Sequence, residues 1–165
     1  MPKHRLALAP LALALILAAA TGPALASHYR FTQIELVSAS EQRALAVAGI
    51  YDTRELLHWT ASRQRRGWLA ETTGLDYARL GALATECDLL RIDGVGPTIA
   101  EALQKAGVIE TGDLARAAAA PLLDQLRVAT RGTAMRSRLP DEDTLATWIA
   151  SARRLRPLLE DIPRP

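Results

Sequence analysis

Apolar residues recur at helical spacing in two long stretches of the chain. Tyr77, Leu80, Ala84, Cys87 and Leu90 follow Asp76, while Leu145, Trp148, Ile149, Ala152 and Leu155 follow Pro140-Asp141. Spacings of three and four put each set on one face of a helix, and an acidic residue just ahead marks a helix start. Pro157 is expected to end the second helix, because proline cannot continue one. Two shorter segments, Ser40 to Ala48 and Thr98 to Ala106, also read as helices, and each closes on Ala-Gly. Glycine after a last helical turn readily takes the left-handed cap conformation. Further helices should open near Thr53 and Thr111, where an acidic residue and then a threonine satisfy and polarise a helix N-terminus. Sustained apolar-polar alternation is missing, so the pattern predicts an all-α fold.

The segments repeat. Ala48-Gly49-Ile50-Tyr51-Asp52-Thr53-Arg54-Glu55-Leu56 matches Ala106-Gly107-Val108-Ile109-Glu110-Thr111-Gly112-Asp113-Leu114 at an offset of 58 (107 − 49). At that offset Ile34 to Ala48 falls on Ile92 to Ala106, with Ala44-Leu45 on Ala102-Leu103. After a small insertion Leu83-Ala84-Thr85 lies on Leu145-Ala146-Thr147. Self-similarity at a fixed period indicates two copies of one supersecondary unit. The expected division is 27–91 and 92–165, preceded by a leader over 1–26.

The leader reading rests on three zones. Lys3 and Arg5 give a basic start, Leu6 to Ala20 carry no charge, and Ala24-Leu25-Ala26 ends in small residues. This is the layout of a secretory signal peptide cut after Ala26. The apolar stretch, broken by Pro10, falls below the roughly twenty residues of a membrane-spanning helix. An uncleaved N-terminal anchor is the alternative. Ser27 stands where a bacterial lipoprotein would need cysteine, so the expected product is soluble and periplasmic or secreted.

Removing residues 1–26 takes away two of the 20 basic side chains and leaves 18 against 18 acidic ones. The pI near 9.0 thus belongs partly to the leader and is a poor argument for nucleic acid. The 139 remaining residues (165 − 26) suffice for a real core, rich in Ala and Leu. Cys87 is the single cysteine, so no internal disulfide can form.

One segment has mechanical content: Leu89-Leu90-Arg91-Ile92-Asp93-Gly94-Val95-Gly96-Pro97-Thr98-Ile99-Ala100-Glu101-Ala102-Leu103. Two glycines around one apolar residue permit a sharp turn in conformations closed to larger residues, with Val95 tucked between the helices. Pro97 suits a first helical turn and Ala100 a close helix contact. Amides at such a helix start form an anion site by geometry and dipole. Ile92-x-Gly94-Val95-Gly96-x-x-x-Ala100-x-x-Leu103 resembles the helix-hairpin-helix motif. That resemblance implies contact with DNA phosphates without sequence reading. From Ile34 to Leu155 the chain also resembles a bacterial family known as a domain of unknown function, with tandem helix-hairpin-helix units and a Trp in the closing helix, here Trp148. It implies two such repeats packed as one compact helical domain. The first copy departs from the motif, having Leu36 and Ser38 where the second has Gly94 and Gly96, so its phosphate grip should be lost.

The residues expected to meet a polyanion are therefore Gly94, Val95, Gly96 and Thr98, joined by Arg131, Arg136 and Arg138 from the acid-free stretch between Gln125 and Leu139. A solvated, loop-borne charge run is the competing reading for these arginines, for Arg63, Arg65 and Arg66, and for Arg153, Arg154 and Arg156. Asp93 beside the turn, and Asp141, Glu142 and Asp143, oppose anion binding. Cys87 on an apolar stripe reads as a buried thiol, and Trp59, Trp68 and Trp148 as core or interface aromatics. His28 and His58 lack partners at ligand spacing, so neither metal nor cofactor is expected. There is no nucleophile elbow, phosphate-cradling loop or zinc-protease helix. A non-catalytic module is expected, with DNA or another polyanion as partner, or else an envelope protein bound by a scaffold whose hairpins are purely structural.

Overall fold

A computed structural model describes residues 28–162. The signal peptide expected over residues 1–26, with its cleavage site, lies outside the described residues. Among those described, the chain is all-α, with a single isolated bridge between Arg30 and Asp52 and no strand. The helices are α1 (Ala39–Val47), α2 (Thr53–Thr60), α3 (Arg63–Thr73), α4 (Tyr77–Leu89), α5 (Pro97–Lys105), α6 (Thr111–Arg116), α7 (Ala119–Ala129) and α8 (Glu142–Ala152). A 3₁₀ turn, Ala134–Arg138, precedes α8.

Local chemistry explains most starts. Ser38, Asp52, Ser62, Asp76 and Asp141 sit at N-caps, each side chain accepting an amide hydrogen bond from inside the first turn. At α2 the acid is the cap, through Glu55 N to Asp52 Oδ1 at 2.8 Å. Thr53, expected to cap, instead accepts from Tyr29 N at 3.0 Å and ties the N-terminal segment to α2. α3 and α7 escape the apolar pattern, one because it opens on Arg63-Gln64-Arg65-Arg66, the other because Ala117 to Ala120 carries no periodicity. Pro121 is tolerated in α7 because it falls in the first turn, where no amide is needed.

The expected end of α8 needs correction. The helix stops at Ala152, five residues before Pro157, through a tightening turn in which Arg154 N bonds Ser151 O and Leu155 N bonds Ala152 O at 3.0 and 3.1 Å. Leu155 packs on the core from that turn, outside the helix.

α2 packs on α4 and α6 on α8, α3 bridges α1, α2 and α4, and α7 bridges α5 and α8. One continuous core runs through all of them, centred on Leu45, Leu56, Leu69, Leu80, Leu83, Leu103, Leu114 and Leu145, each fully buried. Burying a leucine stabilises by about 1.5–3 kcal/mol. After α8 the chain runs back across the molecule. Glu160 N reaches Ala61 O at 2.9 Å, so the last described residues strap the C-terminal segment to the end of α2.

Candidate functional site

The segment between α4 and α5 forms a tight hairpin. Ile92 N bonds Leu89 O at 3.1 Å and Val95 N bonds Ile92 O at 3.0 Å, folding the chain back in two short steps. Val95, Ile92 and Ala100 are buried between the helices. Gly94 holds φ +84°, a left-handed conformation. A Cβ there would stand 3.1 Å from Nε1 of Trp148, so the indole of α8 closes over the turn and would have to give by a few tenths of an ångström to admit a side chain. Trp148 itself is 7 % exposed.

Gly96 corrects the sequence expectation. Its φ of −89° and ψ of 175° are extended backbone open to any residue, and nothing lies near the position of a Cβ. Gly94 alone carries the conformational demand. Gly96 instead serves as N-cap of α5 with Pro97 in the first turn, Ala100 N bonding Gly96 O at 2.9 Å, and no side chain capping the helix. Gly96→Ser should therefore leave Tm unchanged or raise it slightly, because serine caps better than glycine by a few tenths of a kcal/mol. Thermal melting followed by circular dichroism checks this.

α1 begins differently. Ser38 Oγ accepts from Glu41 N at 3.2 Å and Glu41 Oε2 accepts from Ser38 N at 2.7 Å, a reciprocal box that closes the helix start. Arg79 Nε adds a 2.7 Å bond to Glu41 Oε1. This hydrogen bond, ahead of other influences, holds the Glu41 carboxyl below its ordinary range. An anion approaching α1 meets a carboxylate already seated there.

Behind the hairpin, Asp88 is fully buried. Its Oδ2 accepts from Thr111 N and Thr111 Oγ1 at 2.8 and 2.7 Å, and Oδ1 accepts from Arg91 Nη1 at 2.6 Å. Arg91 Nη2 continues to the carbonyl of Arg156 at 3.1 Å. One carboxylate thus joins α4, the hairpin and the start of α6, and through Arg91 the outgoing tail. Sequence reasoning passed over Asp88, since nothing local shows what a mid-chain Asp on a helix will meet.

Thr98 is exposed and lines a groove with Glu35, Arg79, Glu86, Glu101 and Gln104. Burial pushes the Glu86 carboxyl up, opposed by Arg79 and helped by Glu101 and Glu41. Arg131, Arg136 and Arg138 lie exposed after α7, with Arg136 Nη1 bonded to Arg127 O at 2.8 Å. Among the described residues no hydrogen bond or ion pair joins these three to residues 94–98. The structure gathers Gly94, Val95, Gly96 and Thr98 and does not bring those arginines to them by contact.

Arg63, Arg65 and Arg66 are on α3 rather than in a loop, and Arg66 is 0 % exposed, against the solvated reading. Trp59 stacks on Trp68, ring centroids 4.5 Å apart, with Trp68 44 % exposed. Cys87 is buried, and burial holds its thiol well above the ordinary range.

Fold and hairpin together define an all-α domain in which the left-handed turn at Gly94 is covered by Trp148. Residues 35–155 match the family described as Domain of unknown function (DUF4332), and the chain belongs to that family. No curated protein and no solved structure matches it.

Proposed function

We propose that the protein is a non-catalytic module of two helix-hairpin-helix units, exported to the bacterial envelope, which holds duplex DNA or a like polyanion by its phosphates through the second hairpin. The observation that carries this reading is the start of α5: a helix N-terminus on a tight turn with no side-chain cap, where α1 is closed by Ser38 and Glu41. Uncapped amides plus the helix dipole favour a phosphate oxygen. The two-unit reading is supported by matched exits from α1 and α5. Ala48 and Ala106 have φ/ψ of −89°/5° and −86°/5°, and Gly49 and Gly107 follow at φ +73° and +90°. Ile50 N bonds Leu45 O at 3.1 Å where Val108 N bonds Leu103 O at 2.9 Å. The leader pattern supports export.

A second reading, a protein interaction or scaffold domain of the envelope whose hairpins only build the fold, is favoured by Glu86 and Glu101 beside Thr98. Anisotropy of labelled duplex DNA over 50–200 mM salt separates the two. Phosphate contact requires log affinity to fall linearly with log salt, with a slope of about −0.9 per phosphate. Gly96→Asp should raise the stability of α5 while reducing DNA affinity at least tenfold, since it seats a carboxylate on the same amides. Absence of binding at the lowest salt would remove the DNA reading and leave the scaffold.

A further inference from the structure

Arg66 is a buried cation whose hydrogen-bond partners among the described residues are all carbonyls. Its Nη1 donates to the carbonyl of Thr60, the last residue of α2, and its Nη2 donates to Glu160 O and Asp161 O at 2.8 and 3.3 Å. The guanidinium carbon lies 5.2 Å from the centre of the Tyr77 ring, and the buried Nε has no hydrogen-bond partner among the described residues. A buried charge is tolerated when opposite charge or several dipoles surround it. Here the dipoles come from the C-terminal end of α2 and from two successive carbonyls of the strap, which converge where the chain turns at Asp161 with φ +48°.

The strap holds mainly by its backbone. Glu160 donates its amide to Ala61 O at 2.9 Å, and Glu160 and Asp161 offer their carbonyls to Arg66. The side chains add little that is specific: Leu159 packs on the core, and Asp161 makes a 3.6 Å ion pair with exposed Arg63. Main-chain recognition of an extended segment with one apolar anchor and one acidic partner is how folded domains take peptides. The segment here belongs to the same chain, so its local concentration keeps the site filled.

We infer that the cleft formed by the end of α2, the start of α3 and Tyr77 is an acceptor site for an extended acidic segment, filled in cis by Glu160 and Asp161 of the strap and open in trans to the same segment of a second copy of this chain. Exchange of one element between identical chains reproduces every contact and needs only that the strap release first. Arg63 supplies the cationic complement to the Asp161 carboxylate, while Arg66 holds the main-chain carbonyls of Glu160 and Asp161.

A fluorescent peptide of residues 153–162, blocked at both ends, tests this against the full chain by anisotropy. Glu160→Pro in the full chain deletes the amide bonded to Ala61 O and weakens the resident strap, so the peptide should bind this variant at least tenfold more tightly than the unaltered chain. Adding Arg66→Met to that variant should abolish binding. Because loss of Arg66 can unfold the domain, a second probe changes only the peptide. Asp161→Lys in the peptide reverses the charge facing Arg63 and should reduce affinity at least fivefold toward the folded Glu160→Pro chain. No binding to a Glu160→Pro chain that circular dichroism shows to be folded, at peptide concentrations up to 1 mM, overturns the inference. So does equal binding of the two peptides.

Discussion

Asp88→Ala should destabilise the domain by about 3–5 kcal/mol, because it removes one partner of a buried charged pair and strands the other. The carboxylate is 1 % exposed and holds Thr111 N, Thr111 Oγ1 and Arg91 Nη1 at 2.6–2.8 Å. Alanine leaves the guanidinium of Arg91, itself largely covered, without its anion, and leaves the Thr111 amide and hydroxyl without their acceptor. The expected fall in Tm is on the order of 10 °C or more for a domain of this size. Asp88→Asn keeps an oxygen for Thr111 and loses the charge for Arg91, so it should fall between. Thr111→Val should remove the single hydroxyl bond and cost about 1 kcal/mol. Denaturant titrations of the three variants check the order. If Asp88→Ala melts within 2 °C of the unaltered chain, the carboxylate is not the joint described above.

Gly94→Ala is expected to cost about 2–4 kcal/mol, from two sources that can be separated. Forcing a Cβ into the left-handed region costs about 1–2 kcal/mol. The remainder comes from contact, since that Cβ would stand 3.1 Å from Trp148 Nε1. Trp148→Phe shortens the ring and gives the methyl room. In a double-mutant cycle the contact share should vanish and the conformational share remain, an interaction energy of about 1 kcal/mol or more. Strict additivity would show that the indole does not press on the turn. Set against the near-neutral result expected for Gly96→Ser, this assigns different duties to the two glycines: one shapes the chain, the other leaves a helix start uncovered.

That difference shows where sequence stops being sufficient. Helix starts were readable because caps are local: Asp52, Asp76 and Asp141 bond amides three residues away. The Ala-Gly exits were readable for the same reason. Which glycine of the hairpin must be glycine was not, because the answer depends on Trp148, more than fifty residues downstream. α3 was hidden by an arginine run that reads as solvated surface, and Arg66 is buried only because α2 ends and the strap returns at the same place. The end of α8 was misplaced for a related reason. Pro157 is a sufficient reason for a helix to stop, but the chain had already turned at Ala152 so that Leu155 could join the core.

Cys87 gives this domain a use that does not depend on knowing its ligand. It is the single thiol of the sequence, it lies 2 % exposed in the last turn of α4, and its high proton affinity keeps it unreactive in place. A maleimide can reach it only when α4 parts from its neighbours, so the labelling rate counts excursions of the core rather than events at the surface. Each substitution above can then be ranked by how often the protein opens.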